Sequence, residues 1–263
     1  MQKSEIDLAE ALDFACRLAD AGGRVIRKMF RQPHDMEIKG NLSPVTAADK
    51  AVEACIRQLI TSTYPEHGIM GEEHGNVALD REYVWVIDPI DGTKQFAAGL
   101  QTFGMLIALA RHGSPIVGLI DQPVTGDRWT GAKGMPTCYN AHPVQTRNCS
   151  RLADAVMATT GPDYFKGEAA SVFENLNRQT RWTVYGSGCH GYGVLSGGAV
   201  DLLIEAGNDP FDYCAHVPIV QGAGGAISDW NGDPLTIHSG DRVLATGDPQ
   251  LHRQALTRIQ EYT

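Results

Sequence analysis

Nowhere in this chain is there a run of about 18 apolar residues, a CxxC pair, or an HxxxH or HExxH spacing among its nine histidines. The first absence removes a membrane-spanning helix. The second and third weigh against redox dithiols and zinc sites, which need clustered soft or imidazole ligands. The six cysteines, at 16, 55, 138, 149, 189 and 214, are scattered and read as free thiols. Basic residues are also short: 22 Lys and Arg against 31 Asp and Glu, a net charge of −9. Nucleic-acid affinity rests on clustered Lys and Arg, so that class of partner is not expected. The opening MQKSEIDLAEALDF carries charges where a signal peptide needs an unbroken apolar segment. The expectation is a cytoplasmic protein without a membrane partner. Asn148-Cys149-Ser150 matches a glycosylation sequon, which carries no weight without a secretory signal.

What is present is a globular composition, 43% hydrophobic over 263 residues, ample for a core. From Ser4 to Phe30, Leu8, Leu12, Ala15, Ala19, Ile26 and Met29 recur at helical spacing, with Ser4 as a candidate N-cap. A second helix is expected from Thr46 to just before Tyr64-Pro65, with Val52, Cys55, Ile56, Leu59 and Ile60 on its buried side. Strand-like runs follow at 68–72, 83–88, 103–110 and 114–120, the last two joined by an Arg111-His112-Gly113 turn. After about Asn148 the elements alternate. Strands are expected at 155–159, 181–185 and 201–205, and helices at 163–178, at 189–195 and from Pro210 toward Gly224. An α+β half, 1–148, followed by an α/β half, 149–263, is the expected organisation.

The stretch VWVIDPIDGTKQF, Val84 to Phe96, places Asp88 and Asp91 three residues apart at the end of an apolar strand. Two carboxylates that close repel unless something positive sits between them, and a cation answers that economically. Pro89 fixes φ and removes a donor, so the chain is expected to turn there. A short helix starting at Thr93 would set the amides of Gly92, Thr93 and Lys94 beside the cation as an anion site. The bland alternative is a strand-ending turn, since Asp, Pro and Gly all form turns. Further acids sit in similar places. Gly71-Glu72-Glu73 ends another strand-like run, and Asp209-Pro210-Phe211-Asp212 opens a helix. Asp209 with Asp212, and Thr46 with Asp49, also read as ordinary helix caps.

VWVIDPIDGTKQF resembles the first signature of the inositol monophosphatase family, magnesium-dependent and lithium-sensitive phosphatases of small molecules. GEE at 71–73 resembles that family's upstream acidic motif, and DPFDYCAHVPIVQGAGG at 209–225 its second signature. Within the family, GLIDQPVTGDRWTGAKG at 118–134 and GCHGYGVLSGGAVDLLIEAG at 188–207 are most like the histidinol-phosphate phosphatase branch. The resemblance implies a five-layer αβαβα sandwich, a homodimer, and hydrolysis of a small phosphorylated metabolite with two or three Mg²⁺ ions per site. Carried over by position, Glu72, Asp88 and the Ile90 carbonyl would hold a first ion, and Asp88, Asp91 and Asp212 a second. Thr93 paired with Asp49, together with Glu72, would activate the water, and the Gly92 and Thr93 amides would bind phosphate. Glu205 would meet the substrate, with His190 and Tyr192 as weaker candidates. Gly188 and Gln221 depart from the branch, which commonly has acids there. Inositol-1-monophosphatase and 3′(2′),5′-bisphosphate nucleotidase are the alternative activities, and a metal-binding scaffold that has lost turnover is a remote one.

Overall fold

The computed structural model describes residues 6–32, 36–38 and 44–262. Its helices are α1 (Leu8–Met29), α2 (Ala47–Thr63), α3 (Thr93–Ala97), α4 (Glu168–Gln179), α5 (Gly188–Ser196), α6 (Pro210–Tyr213), α7 (His216–Gly222) and α8 (Pro249–Gln260). The strands run β1 (Met36–Ile38), β2 (Pro44–Thr46), β3 (Gly68–Gly71), β4 (Tyr83–Asp91), β5 (Gly104–Arg111), β6 (Ser114–Gln122) and β7 (Asp127–Ala132). They continue with β8 (Cys138–Tyr139), β9 (His142–Pro143), β10 (Val156–Thr159), β11 (Trp182–Tyr185), β12 (Leu202–Glu205), β13 (Ala226–Ser228) and β14 (Val243–Thr246).

Strands β3 to β9 form a seven-stranded sheet in chain order, antiparallel except for the β3–β4 pair. A second sheet has the order β11-β10-β12-β14-β13, with β11, β10 and β12 mutually parallel. β1 and β2 pair separately. The period-2 alternation of β4 to β6 sends Trp85, Ile87, Met105, Ile107, Val117 and Leu119 to one face. There they pack on Phe14, Leu18 and Ile26 of α1 and Val52, Ile56 and Ile60 of α2. Val84, Val86, Leu106, Ala108 and Ile120 face the other way, onto α5, α6 and α7, whose far side meets Ala158, Leu203 and Ala245 of the second sheet. The outer face of that sheet, Met157, Leu202, Ile204 and Leu244, is covered by α4 and α8. Helix, sheet, helix, sheet, helix gives the five-layer sandwich that the resemblance implies.

Several local expectations change. The N-cap of α1 is Asp7, whose side chain accepts from the amides of Ala9 and Glu10; Ser4 lies outside the described residues. β4 does not stop at Asp88 but continues to Asp91, which pairs with Gly104. The helix expected at 163–178 begins only at Glu168, after a single 3₁₀ turn at Pro162–Tyr164. The one expected from Pro210 is two short helices, α6 and α7, with Cys214 and Ala215 between them. Strands β7 to β9, β13 and β14 and helix α8 had no counterpart in the expectations. All six cysteines are free. Among the described residues no helix is long and apolar enough to cross a membrane.

Candidate active site

The end of β4 forms a bulge. Asp88 pairs with Leu106 and Asp91 with Gly104, so three steps on β4 oppose two on β5. In a regular strand residues three apart face opposite sides of the sheet. The one-residue bulge at Pro89–Ile90 cancels that and turns Asp88 and Asp91 toward the same middle layer, while Ile90 packs into the core under α1 and α2. The turn comes later, at Gly92, whose φ of +90° is a left-handed conformation that glycine adopts without strain. Thr93 then opens α3.

From the facing layer α6 brings Asp212. Ligand oxygens of Asp88, Asp91 and Asp212 all lie within 4.8 Å of one another. The three line one cavity together with Glu72, Ile90, Gly92, Thr93, Lys94, Thr160, Tyr164, Gly188, Glu205 and Asp209. One oxygen of each clustered carboxylate is held by a backbone N–H. Asp88 Oδ1 accepts from Ile90 (3.0 Å), Asp91 Oδ2 from Cys189 (2.9 Å) and Asp212 Oδ2 from Asp209 (2.7 Å). The Asp209–Asp212 bond is the capping contact foreseen as the ordinary reading, so cap and cluster are the same side chain. Asp49 behaves likewise. Its Oδ2 accepts from the Thr46 amide (2.8 Å) and Oγ1 (2.5 Å), leaving Oδ1 for the Thr93 hydroxyl at 3.2 Å.

Burial, then the neighbouring Glu72, Asp91 and Asp212, push the Asp88 carboxyl well above the usual carboxylate range. Burial and Asp91 do the same to Asp212, and burial raises Asp91 against the lowering effect of the Cys189 bond. Lys94 is the one basic side chain among these lining residues. Its Nζ donates to Tyr164 Oη (3.2 Å) and lies 5.1 Å from that ring. Three crowded carboxylates and the Ile90 carbonyl, all oxygen donors with no protein cation among them, fit a hard divalent ion such as Mg²⁺.

Glu205 ends β12 and is not the surface residue a strand end suggests: it is 4% exposed. Burial pushes it up to about 8 despite bonds from the Thr160 amide (2.6 Å) and the Thr159 and Thr160 hydroxyls. Sequence reading missed Thr160 and Tyr164. Thr160 follows β10, the parallel neighbour of β12, so only the pairing of those strands brings it to Glu205. His190, a candidate for substrate contact, is not among the residues that line this cavity. Its Nδ1 lies 2.7 Å from Gln122 Oε1, and its ring stands edge-on to Trp129. Tyr192 is buried and stacks on His216 at 3.8 Å. Gln221 lies on another surface groove, away from the cluster. Gly188 does line the cavity; its φ is +47°, and a Cβ there would sit 3.3 Å from Asp91 Oδ2. Glu73 is not among the lining residues, and both it and Glu72 lie beyond β3, which ends at Gly71.

Residues 7–263 match the model of the inositol monophosphatase family. The bifunctional phosphatase IMPL2 of Arabidopsis thaliana, named as chloroplastic, is 41% identical over 269 positions, covering 99% of this chain and 77% of that protein. A histidinol-phosphatase of Chlorobaculum parvum is 30% identical, covering 84% and 86%. Among solved structures, an inositol monophosphatase from Zymomonas mobilis superposes with a TM-score of 0.89 at 40% identity, covering 97% of this chain and all of that one. With the match running nearly end to end and the carboxylate cluster lying inside it, this protein belongs to the inositol monophosphatase family and is a phosphatase.

Proposed function

We propose that the protein hydrolyses histidinol phosphate to histidinol and phosphate, in histidine biosynthesis, with Mg²⁺ bound by Glu72, Asp88, the Ile90 carbonyl, Asp91 and Asp212. The observation that carries this reading is the charge of the cavity. Beyond the clustered aspartates it offers Glu205 and Asp209 to the rest of the substrate and a single cation, Lys94. Such a lining favours a leaving group that is itself cationic, whose charge would draw the buried Glu205 back toward its ionised form. A bisphosphorylated nucleotide would need further basic residues for its second phosphate. The name of the Chlorobaculum relative points the same way. Inositol 1-phosphate is the second reading, favoured by the likeness to the Zymomonas enzyme.

When bound, the ions supply Lewis-acid charge against the phosphoryl oxygens and the leaving oxygen, up to two or three per site. The chain does the rest. Thr93 Oγ1 has one proton and two acceptors at 3.2 Å, Asp49 Oδ1 and the Ile90 carbonyl. Donating to either leaves its lone pairs to accept from a water. Thr93 thereby orients that water toward phosphorus, and Glu72 takes its proton. The Gly92 and Thr93 amides hold phosphate oxygens, and Glu205 meets the ammonium or imidazole of the substrate. As the water oxygen bonds to phosphorus the P–O ester bond breaks; the leaving alkoxide takes a proton from a second water, and the proton held by Glu72 passes back to solvent, so one water is consumed overall. The test is a panel of histidinol phosphate, inositol 1-phosphate and 3′-phosphoadenosine 5′-phosphate with purified protein. Highest kcat/KM on histidinol phosphate is expected, and preference for either of the others overturns the assignment. A homodimer belongs to the same reading, and sedimentation equilibrium checks it.

A further inference from the structure

β3 ends at Gly71, and the segment that carries Glu72 has left the sheet. It is fastened instead to α2. Glu53, fully buried on that helix, accepts from the backbone N–H of Glu73 through Oε2 (2.7 Å) and of His74 through Oε1 (3.1 Å). Arg57 Nε donates to the same Oε1 at 2.7 Å, and its Nη2 reaches the Gly75 carbonyl. His74 Nε2 lies 2.9 Å from the Lys50 carbonyl. Glu53 also stands one turn after Asp49, on the same side of the helix. Gly71 is packed so closely that an added Cβ would sit 2.2 Å from Glu53 Oε1.

We infer that Glu53 is a positioning residue for Glu72, and that α2 sets the distance between the two parts of the water-activating apparatus. One turn of the helix orients Thr93 through Asp49; the next holds the Glu72 segment through Glu53. The inference rests on the reading of Glu72 as ligand and proton acceptor. A carboxylate that only stabilised a loop could sit anywhere along it. This one holds the two amides that directly follow Glu72, so a small movement of Glu53 moves the carboxylate that must face the water.

Two variants test it. Glu53→Gln keeps the volume and turns an NH₂ toward backbone donors. Gly71→Ala keeps both charges and displaces the strand end from Glu53, so it remains informative if Glu53→Gln folds poorly. In metal-free protein, hydrogen exchange at the amides of residues 73 and 74 is expected to accelerate. Calorimetry with MgCl₂ alone is expected to show affinity lower by about 10-fold or more, and kcat at saturating Mg²⁺ to fall about 10- to 100-fold. KM for the best substrate of the panel is expected to stay within about two-fold. A lower melting temperature with Mg²⁺ affinity and kcat unchanged would make Glu53 a structural staple only and overturn the inference. A wild-type protein that binds no Mg²⁺, or an Asp88→Asn protein that binds it as wild type does, removes the metal reading and this inference with it.

Discussion

Changing Asp88 to Asn removes one charge and almost no volume from a cluster in which Glu72, Asp91 and Asp212 repel it. The metal-free variant is therefore expected to melt no lower than wild type, while activity is lost. Wild type should gain melting temperature on adding Mg²⁺ and Asp88→Asn should not, because only a ligand that binds the folded state stabilises it. Differential scanning with and without chelator, beside turnover, checks both halves of the prediction. His252 gives a pH dependence far from the site. It is 7% exposed, lies between Ser228 Oγ (2.9 Å) and Thr246 Oγ1 (3.2 Å), and is pushed by burial from 6.5 down to about 4. Unfolded chains take up the proton near 6.5 and the folded protein only near 4. Its contribution is thus complete above pH 6.5, shrinks as pH falls, and levels off below about 4, a total of about 3 kcal/mol. Urea unfolding across that range is expected to show the slope in wild type and lose that share in His252→Gln.

At the scale of elements, the short helices of the middle layer matter most, because α6 delivers Asp212 and α7 backs it. α7 lies directly on β6 and β7 at two glycines. A Cβ on Gly118 would sit 2.0 Å from the Ala215 carbonyl, and one on Gly131 would sit 2.8 Å from Ile219 Cα. Gly118→Ala must push that layer away, at a cost of about 1–3 kcal/mol. It is also expected to weaken Mg²⁺ binding, although residue 118 touches no ligand; calorimetry and a melt separate the two effects. These contacts also show why some elements were legible and others were not. α1, α2 and β4 to β6 announce themselves by period, since each buries one face against a broad neighbour. α6 and α7 are too short for any period to emerge, and read as one helix. β13 and β14 are strands of three and four residues whose identity comes from pairing with each other and with β12.

Taken as a whole, the molecule brings together acids that are distant in the chain and leaves the bland readings of them partly true. Asp209, Asp212, Thr46 and Asp49 do cap helices, and three of them, Asp209, Asp212 and Asp49, also serve the cavity or its hydroxyl. Asp88 and Asp91 were legible from their close spacing ahead of Gly92-Thr93, and Glu72 and Asp212 from acidic motifs that resemble those of the family. Thr160, Tyr164 and Glu53 were not, because their partners lie in parts of the chain that only the sandwich makes adjacent. Glu205 was found by resemblance, while its burial and its bonds to Thr159 and Thr160 emerge only from the β10–β12 pair. Replacing Glu205 by Gln is expected to raise KM for histidinol phosphate by about tenfold, as for a lost bond to a charged group. KM for p-nitrophenyl phosphate, which has no ammonium or imidazole, should barely change.

The backbone amides that bond one oxygen of Asp88, Asp91 and Asp212 also bear on which cation suits the cluster. Each of those oxygens already uses one lone pair on an N–H, so the other oxygen of the same carboxylate is the freer donor and ligation through one atom is favoured over side-on chelation. Calcium prefers seven or eight donors and commonly takes both oxygens of an acid, whereas magnesium accepts six donors and keeps several waters. An ion that is satisfied by one oxygen from each acid and keeps its own waters therefore suits these carboxylates better than one that needs both.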